Sequence, residues 1–352
     1  MMLNVDKLQR GKRPARRQRG VALLAVLWLS VALTMIAMTM AYVVRTEAAA
    51  VGNHLDSERA GWLARGAVQA AVYAVLHSGG DRATAAPDAS LIQQMHPQQR
   101  WLRYEFETGS AVVEVVPENA KLNVNQASPE QLAALFVLLY RPDLQSRELA
   151  EAIVDWRSPR ASSVATTFDM LYAALPEPYQ AHHAPLEELE ELLAVKGMDR
   201  DLFFGQPVQD AAGNWSRTPP LGELLTTEPN LRGLNMYYAA YEVLRVLPGW
   251  DESLARAVID ARSRMVSGTL MDAVPGLSRV ISLAAVSAAA ESSYTLTATA
   301  QMLGSGVRHS VRARIRLDRA APMGFQVTGW WEDWPWSPAP PAELSQDGDS
   351  NL

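Results

Sequence analysis

The sequence predicts an α+β protein in which a long N-terminal helix packs on a small antiparallel sheet and a large all-helical domain is inserted in that sheet. Three observations support this prediction. Residues 21–44 carry no charge, and the chain then continues without proline to residue 77. Strand-like alternation occurs near residues 101–115 and returns only after residue 294. The sequence between these two strand regions has helical spacing.

The N-terminal segment has the composition of a membrane anchor. Seven Lys or Arg residues and one acid precede Gly20, and the 24 residues that follow are uncharged. A helix of that length spans roughly 36 Å, which is enough to cross a hydrocarbon core of ~30 Å. Positive charges favour the cytoplasmic side of a membrane. We therefore expect a single-pass membrane protein with a cytoplasmic N-terminus and an exported main domain.

The helix is expected to continue past the membrane to about His77, before Ser78 and Gly79 end it. Apolar residues recur there at helical spacing and predict one buried stripe. Three glycines in the same segment each weaken a helix by about 1 kcal/mol relative to alanine. The stripe comprises Val51, Leu55, Trp62, Val68, Val72 and Val75, and the glycines are Gly52, Gly61 and Gly66.

The predicted sheet begins with a hairpin at residues 101–115 that turns at Thr108 and Gly109. Segments 294–300, 307–317 and 325–331 complete it. Four arginines at alternate positions are predicted to form a solvent-exposed face, with an anion site as the less favoured interpretation. They are Arg308, Arg312, Arg314 and Arg316. Residues 118–290 separate the two groups of strands and are therefore predicted to be an inserted domain.

The insert contains an internal repeat. Leu122–Ala127 and Leu234–Ala239 both begin with Leu-Asn, and each is followed by a related helix, at 151–157 and 256–262 respectively. The two copies differ by an insertion of seven residues between these blocks. The order of the blocks predicts two related helical hairpins.

Three short turns of one type occur in the insert, at Val195–Met198, Leu247–Trp250 and Val274–Leu277. They resemble helix-hairpin-helix motifs, which in many proteins present backbone N–H groups to a DNA phosphate. Asp251 and Glu252 follow the second turn and would repel a phosphate. The chain has 32 basic and 38 acidic residues. Residues 1–20 hold seven of the basic residues and one acid, so the rest of the chain has a net charge of −12. We therefore predict packing hairpins and no nucleic-acid binding.

Chemical motifs are scarce. The absence of cysteine excludes disulfides, thiolate nucleophiles and cysteine-bound metals. The sequence has no Gly-x-Ser-x-Gly, His-Glu-x-x-His or phosphate-binding loop, so no enzyme is predicted. His182 and His183 are expected to point apart on a helix, which disfavours a metal pair. A helix is also predicted with an exposed face of Glu187, Glu188, Glu190 and Glu191 and with Leu189, Leu192 and Leu193 pointing inward.

The leader has an unusual order, because the small residue Gly20 lies between the basic block and the apolar stretch. This order resembles the leaders of type IV pilins and of type II secretion pseudopilins. Their prepilin peptidase cuts after such a glycine. The resemblance implies cleavage between Gly20 and Val21, so that Val21 becomes the mature N-terminus. An uncleaved signal anchor is the alternative interpretation of these residues.

From Arg16 to about Asp333, the chain resembles the K-type minor pseudopilins of type II secretion systems. The best-matched segments are Arg19–Leu24, Lys121–Asn125 and Leu186–Met198. The resemblance implies a pilin-like fold. It also implies a non-enzymatic subunit at the tip of the pseudopilus that initiates assembly and supports protein export.

Most pilins and pseudopilins have a glutamate at the fifth mature position, where this chain has Ala25. In the family, that glutamate is thought to meet the N-terminal ammonium of the subunit above. An unpaired acid in the apolar part of a membrane costs a few kcal/mol. By this resemblance, a chain with Ala25 needs no neighbour above it, which suits a tip subunit.

The resemblance also implies a set of partners and an inner-membrane location with a periplasmic main domain. The partners are the I- and J-type minor pseudopilins, the major pseudopilin below, prepilin peptidase, the inner-membrane secretion platform, and further the secretin and exported substrates. Calcium is known in the family, and oxygen ligands could come from Asp199, Asp201, Asp251 or Glu252. No calcium ligand set follows from the sequence.

The predicted organisation is a leader at 1–20, a helix at 21–77 with its membrane segment at 21–44, pilin-like parts at 78–117 and 291–334, the insert at 118–290 and a disordered tail at 335–352. Trp330, Trp331, Trp334 and Trp336 are interpreted as the edge of the sheet, with a partner contact as the alternative.

Two other classes of protein share some of these features. A minor pilin of a type IV pilus or competence fibre has the same leader, but the large insert and Ala25 disfavour it. A signal-anchored periplasmic adaptor or enzyme has the same basic-then-apolar order. That class predicts no cleavage at Gly20.

Overall fold

The computed structural model describes residues 19–77, 100–160, 164–209, 215–229, 231, 233–264, 269–281, 292–318 and 320–334. Most of the predicted leader (residues 1–18), the expected helix stop at 78–81 and the predicted tail (335–352) lie outside the described residues. The chain divides into two compact units, Met1–Ser57 and Glu58–Leu352, which are described separately below.

The described elements are numbered in chain order. The helices are α1 Arg19–His77, α2 Pro129–Leu138, α3 Asp143–Arg157, α4 Thr167–Ala173, α5 Arg200–Phe204, α6 Leu221–Leu224, α7 Tyr241–Arg245, α8 Glu252–Arg264, α9 Leu270–Ala273 and α10 Leu277–Ile281. The strands are β1 Trp101–Phe106, β2 Gly109–Pro117, β3 Leu122–Asn123, β4 Pro207–Gln209, β5 Trp215–Arg217, β6 Leu225–Thr226, β7 Ser293–Met302, β8 Arg308–Leu317 and β9 Phe325–Trp331.

The first unit contains the N-terminal part of α1, whose large apolar side chains between Leu23 and Val44 are exposed. The helix begins two residues before the predicted start at 21 and ends at the predicted His77. Its absence of proline and its run of strong helix formers account for this continuity.

The second unit is built on a five-stranded antiparallel sheet with the strand order β1-β2-β7-β8-β9. The predicted hairpin is present as β1 and β2, with Phe106 opposite Gly109. β2 pairs with β7 from Gly109 opposite Met302 to Pro117 opposite Tyr294. The chain therefore leaves the sheet after β2 and returns to the adjacent strand, which confirms the predicted α+β fold with an inserted domain.

One face of this sheet packs on the C-terminal part of α1. Val68, Val72 and Val75 are buried there as predicted, whereas Trp62 is 67% exposed and lies under the Arg65 guanidinium. Val51 and Leu55 are also exposed. The predicted stripe is therefore wrong in its first half, because the buried contact is made mainly by small residues that let a helix approach a sheet closely. These residues are Ala60, Ala64, Ala67, Ala71 and Ala74.

Gly61 illustrates the close approach. A Cβ atom at this position would lie 3.3 Å from Nε2 of His309 on β8, which is tighter than ordinary van der Waals contact. Gly66 faces open space, so it retains only the helix-weakening effect expected from the sequence.

The insert has its own hydrophobic core, formed mainly by helices, but it is not all-helical as predicted. β3 pairs with β6 in parallel, and β4 pairs with β5 in an antiparallel hairpin. Strands of two or three residues are too short to show an alternating pattern, so no periodic signal predicts them.

The two copies of the predicted internal repeat make equivalent contacts. Arg157, at the end of α3, donates to the carbonyl oxygens of Val124 and Ala127. Arg262, in α8, donates to the carbonyl oxygens of Met236 and Ala239, at 3.2 and 2.7 Å. In each copy, an arginine of the second helix therefore fixes the segment that precedes the first helix.

The three predicted turns share one geometry. The first and fourth residues are joined by N–H···O=C bonds of 3.0, 3.1 and 3.3 Å in Val195–Met198, Leu247–Trp250 and Val274–Leu277. Gly197, Gly249 and Gly276 occupy the third position with φ of 88°, 80° and 85°. This is the pattern of a type II turn, which favours glycine at that position.

Candidate functional site

In the apolar part of α1, three side-chain hydroxyls form hydrogen bonds within the helix. The hydroxyls of Ser30, Thr34 and Thr39 donate to backbone carbonyl oxygens three or four residues earlier, at 2.8, 2.7 and 2.7 Å. Hydroxyls bonded in this way need no water, which suits a hydrocarbon environment. By length and composition this helix can cross a membrane, since its most apolar window has a mean hydropathy of 2.2. It therefore fits a single-pass membrane anchor.

The predicted processing residues lie at the start of this helix. Gly20 and Val21 fall in the first turn of α1, and Ala25 follows about one turn later with its side chain exposed. Ala25 thus lies within the uncharged stretch of residues 21–44. Cleavage after Gly20 stays a prediction.

The opposite face of the sheet is where the sequence prediction was wrong. Arg312 and Arg314 are only 3% and 8% exposed, although a solvent-exposed arginine face was predicted. The insert covers this face and supplies carboxylates to it. Arg308 differs, because it is exposed and donates to Gln301 at the end of the strand.

Three arginines of β8 each bind a glutamate of the insert. Arg312 Nη1 lies 2.8 Å from Glu223, and its Nη2 donates to the Gly222 carbonyl oxygen at 2.9 Å. The other two pairs are Arg314 with Glu188 at 3.0 Å and Arg316 with Glu228 at 2.5 Å. Glu228 also accepts a hydrogen bond from Ser293 at 3.0 Å. We call these three ion pairs, together with the buried pair described next, the sheet–insert junction.

The fourth pair of the junction lies where the chain enters the insert. Lys121 Nζ donates to Glu118 at 2.7 Å, and both side chains are almost fully buried. Burial by itself raises the pKa of Glu118, but the Lys121 ammonium and the hydroxyls of Thr226 and Thr295 outweigh it and hold that pKa at about 2. Burial also lowers the pKa of Lys121, and the Glu118 carboxylate opposes this.

Two tryptophans stack on the arginines of the junction. The guanidinium of Arg312 lies 4.3 Å from the ring centre of Trp334, and that of Arg314 lies 5.6 Å from Trp331. Trp331 also donates to Glu190 at 3.3 Å. Trp330 and Trp331 belong to β9, as preferred from the sequence, whereas Trp336 lies outside the described residues.

The glutamate-rich segment differs from its prediction. Leu189–Ala194 forms a 3-10 helix in which Leu189 and Leu192 are buried but Leu193 is 36% exposed. A 3-10 helix has three residues per turn, so it cannot bury the pattern expected of an α-helix. Glu188 and Glu190 contact the sheet instead of forming a purely solvated face.

The adjacent histidines lie in a loop instead of the predicted helix, and they do point apart. His182 contacts Glu191 at 3.1 Å, and His183 contacts Asp169 at 2.9 Å. The pKa of Asp169 is lowered to about 2, mainly by the hydrogen bond from the Thr166 backbone N–H and next by the hydrogen bond with His183. These contacts fix the loop on α4 and on the 3-10 helix Leu189–Ala194 without bringing the two rings together.

The candidate calcium ligands are engaged within the protein. Asp199 accepts hydrogen bonds from Arg141 at 2.7 Å and from the Leu202 N–H at 2.8 Å. Asp251 caps α8 by accepting from the Leu254 N–H at 2.7 Å, and Glu252 pairs with Arg256. Within the described ranges, no three His, Asp or Glu side chains come together as a metal site requires.

Removing Arg312 is expected to leave Glu223 buried without its cation. We expect Arg312→Met to lower the free energy of unfolding by about 3 to 5 kcal/mol, and adding Glu223→Met to restore most of it. The measurement is denaturant unfolding of the full chain in detergent. Arg308→Met is the matched control on the same strand, with an expected change within about 0.5 kcal/mol. Equal losses for the two arginines would contradict this role of the junction.

The Glu118 carboxylate is expected to make stability depend on pH. Its pKa is lower in the folded state, at about 2, than the ordinary 4.5, so its contribution is complete above pH 4.5 and is lost as pH falls towards 2. The shift corresponds to about 3 kcal/mol. Comparing unfolding of the native chain and Glu118→Gln across this range isolates the effect. Parallel curves for the two proteins would show that Glu118 does not titrate in this way.

Comparisons with known proteins match the part of the chain that contains two of the segments quoted above. The family model for type II secretion system protein K matches residues 111–204, a span that contains Lys121–Asn125 and Leu186–Met198. Type II secretion system protein K of Pectobacterium carotovorum subsp. carotovorum is 26% identical over 203 residues, which cover 53% of this chain. The chain spans 60% of the length of that relative.

A solved structure is also similar to this chain. It is the crystal structure of the GspK-GspI-GspJ complex from the type 2 secretion system of enterotoxigenic Escherichia coli, with a TM-score of 0.46 and 18% identity. The similarity covers 82% of this chain and 98% of the matched chain. The family match at residues 111–204 agrees with the resemblance seen in the sequence, and this part of the chain is similar to protein K of the type II secretion system.

Proposed function

We propose that this chain is a non-enzymatic minor pseudopilin at the tip of the type II secretion pseudopilus. There it initiates assembly with the I- and J-type minor pseudopilins above the major pseudopilin and supports export across the outer membrane. The inner-membrane platform, the secretin and exported substrates are its further partners. The proposal rests on its relationship to protein K.

The observation that carries the tip position is the covered sheet. The insert covers the face of β8 that carries Arg312, Arg314 and Arg316 and is held there by three ion pairs, so this part of the face is closed to neighbouring subunits. A subunit inside a narrow fibre must pack on all sides, whereas a terminal subunit can carry a large additional domain.

The proposed topology follows from α1. The basic residues before Gly20 hold the N-terminus in the cytoplasm, the uncharged stretch crosses the inner membrane once, and the second unit lies in the periplasm. Prepilin peptidase cuts after Gly20, and Val21 becomes the mature N-terminus.

Processing at Gly20 is tested by mass spectrometry of the N-terminal peptide from membranes, with and without active prepilin peptidase. We expect a chain that starts at N-methylated Val21 only when the peptidase is active. The Gly20→Val chain is the control and should remain uncut. A native chain that retains Arg19 and Gly20 in both strains would identify an uncleaved signal anchor and end the tip model.

Ala25 is tested by introducing the acid that it lacks. An unpaired acid within the membrane costs a few kcal/mol, and each 1.4 kcal/mol changes an equilibrium tenfold. We therefore expect Ala25→Glu to reduce the yield of the complex with I- and J-type partners, and secretion with it, at least tenfold. Ala25→Leu should leave both unchanged. Normal secretion by Ala25→Glu would argue against a subunit with no neighbour above it.

A further inference from the structure

The outer edge of the main sheet at β9 is open. β9 is the last strand in the order β1-β2-β7-β8-β9 and pairs only with β8 among the strands that the structure describes. An edge strand presents a row of backbone N–H and C=O groups that can pair with another extended chain. Proteins usually protect such an edge with charge, proline or a covering segment.

The two edges of this sheet are protected differently. β1 carries Arg103 and Glu105, which form an ion pair with a distance of 2.5 Å along its outer edge. β9 has the sequence Phe-Gln-Val-Thr-Gly-Trp-Trp, with no charge and no proline. Val327 and Trp330 on this strand are 52% and 38% exposed. β9 also has a register shift opposite Arg314 and Ile315, and a bulge of this kind is one of the usual protections of an edge. The open edge is therefore uncharged and partly apolar, and the register shift is the protective feature that it carries.

Helix α1 forms a wall along this edge. At one end, Arg65 of α1 lies 3.0 Å from Glu332, just beyond β9. At the other end, the Leu76 side chain lies beside Gly324, just before β9. Tyr73, which is 38% exposed, lies on the same helix face between these contacts. The strand edge and this wall together form a groove about one strand long, which we call the β9 groove.

Charge indicates what kind of chain would fit. The Asp333 carboxylate at one end of the β9 groove is 81% exposed and has His309 as its near neighbour. The chain without residues 1–20 has a net charge of −12, so a second copy would be repelled. A basic residue on a different protein would be attracted to Asp333.

We propose that the β9 groove binds an extended segment of another protein, which adds to the sheet as a sixth, antiparallel strand. Its alternate apolar side chains pack on Val327 and Tyr73, and a Lys or Arg on its N-terminal side lies beside Asp333. The antiparallel direction continues the pattern of every pair in the main sheet. This inference goes beyond the proposed function, and its failure would leave the Gly20 cleavage test unaffected.

The test places a photo-crosslinking amino acid at Gln326 in the full chain, within cells that make the complete membrane assembly. The same group at Glu105 on β1 is the control edge. We expect an adduct from position 326 to an extended segment of a different protein that contains a basic residue. Val327→Lys should reduce the adduct at least tenfold, and Val327→Thr, which keeps a β-branched uncharged side chain, should not.

A second measurement needs no substitution. Amide hydrogen exchange of residues 325–331 should be at least tenfold slower in the assembled state than in the purified chain in detergent, with no matching change in β1. The proposal would be overturned by equal crosslinking at positions 326 and 105 or by unchanged exchange in β9. It would also be overturned by an adduct to a second copy or within the same chain. An adduct that persists in Val327→Lys would do the same.

Discussion

The pairing of three arginines with three glutamates is the constraint on which the second unit depends; Arg312 and Arg314 are buried, and Arg316 is partly exposed. A guanidinium removed from water is tolerated only with a charged, hydrogen-bonded partner. The arginines belong to β8 and the glutamates to the insert, so neither part satisfies its charges alone. Sheet and insert must therefore fold together, although each has its own hydrophobic core. Trp331 and Trp334 add apolar cover to the same charges.

Much of the framework was predictable, because strands and helices leave local periodic signals. β9 was predicted at its observed bounds, and the repeated blocks led directly to the equivalent arginines Arg157 and Arg262. The exposed arginine face was predicted wrongly for a different reason. Alternation shows that a strand has two faces, but not what covers each of them. The partner of Arg312 is 89 residues away in sequence, so no local pattern reveals it.

The membrane anchor was predicted from composition alone, since an uncharged stretch behind a basic block needs no tertiary information. The cleavage site at Gly20 and Val21 rested on the resemblance to pilin leaders and stays a prediction. The helix packing was harder to predict. The predicted stripe consists of large apolar residues, whereas the contact depends on alanines at 60, 64, 67, 71 and 74. Their spacing of three or four residues was a signal in the sequence that could have been used. The exposure of Trp62 beside Arg65 could not have been derived from spacing.

The positions where the insert begins and ends also bear on how such a domain can be acquired. Pro117 and Tyr294 lie opposite each other on adjacent antiparallel strands, about 5 Å apart. Two strands in this arrangement are normally joined by a turn of two residues. The host sheet is therefore complete without the insert, and an ancestral hairpin turn could be extended into a domain without breaking a ladder. The arginines of β8 tie such an added domain to its host sheet through Glu223, Glu188 and Glu228.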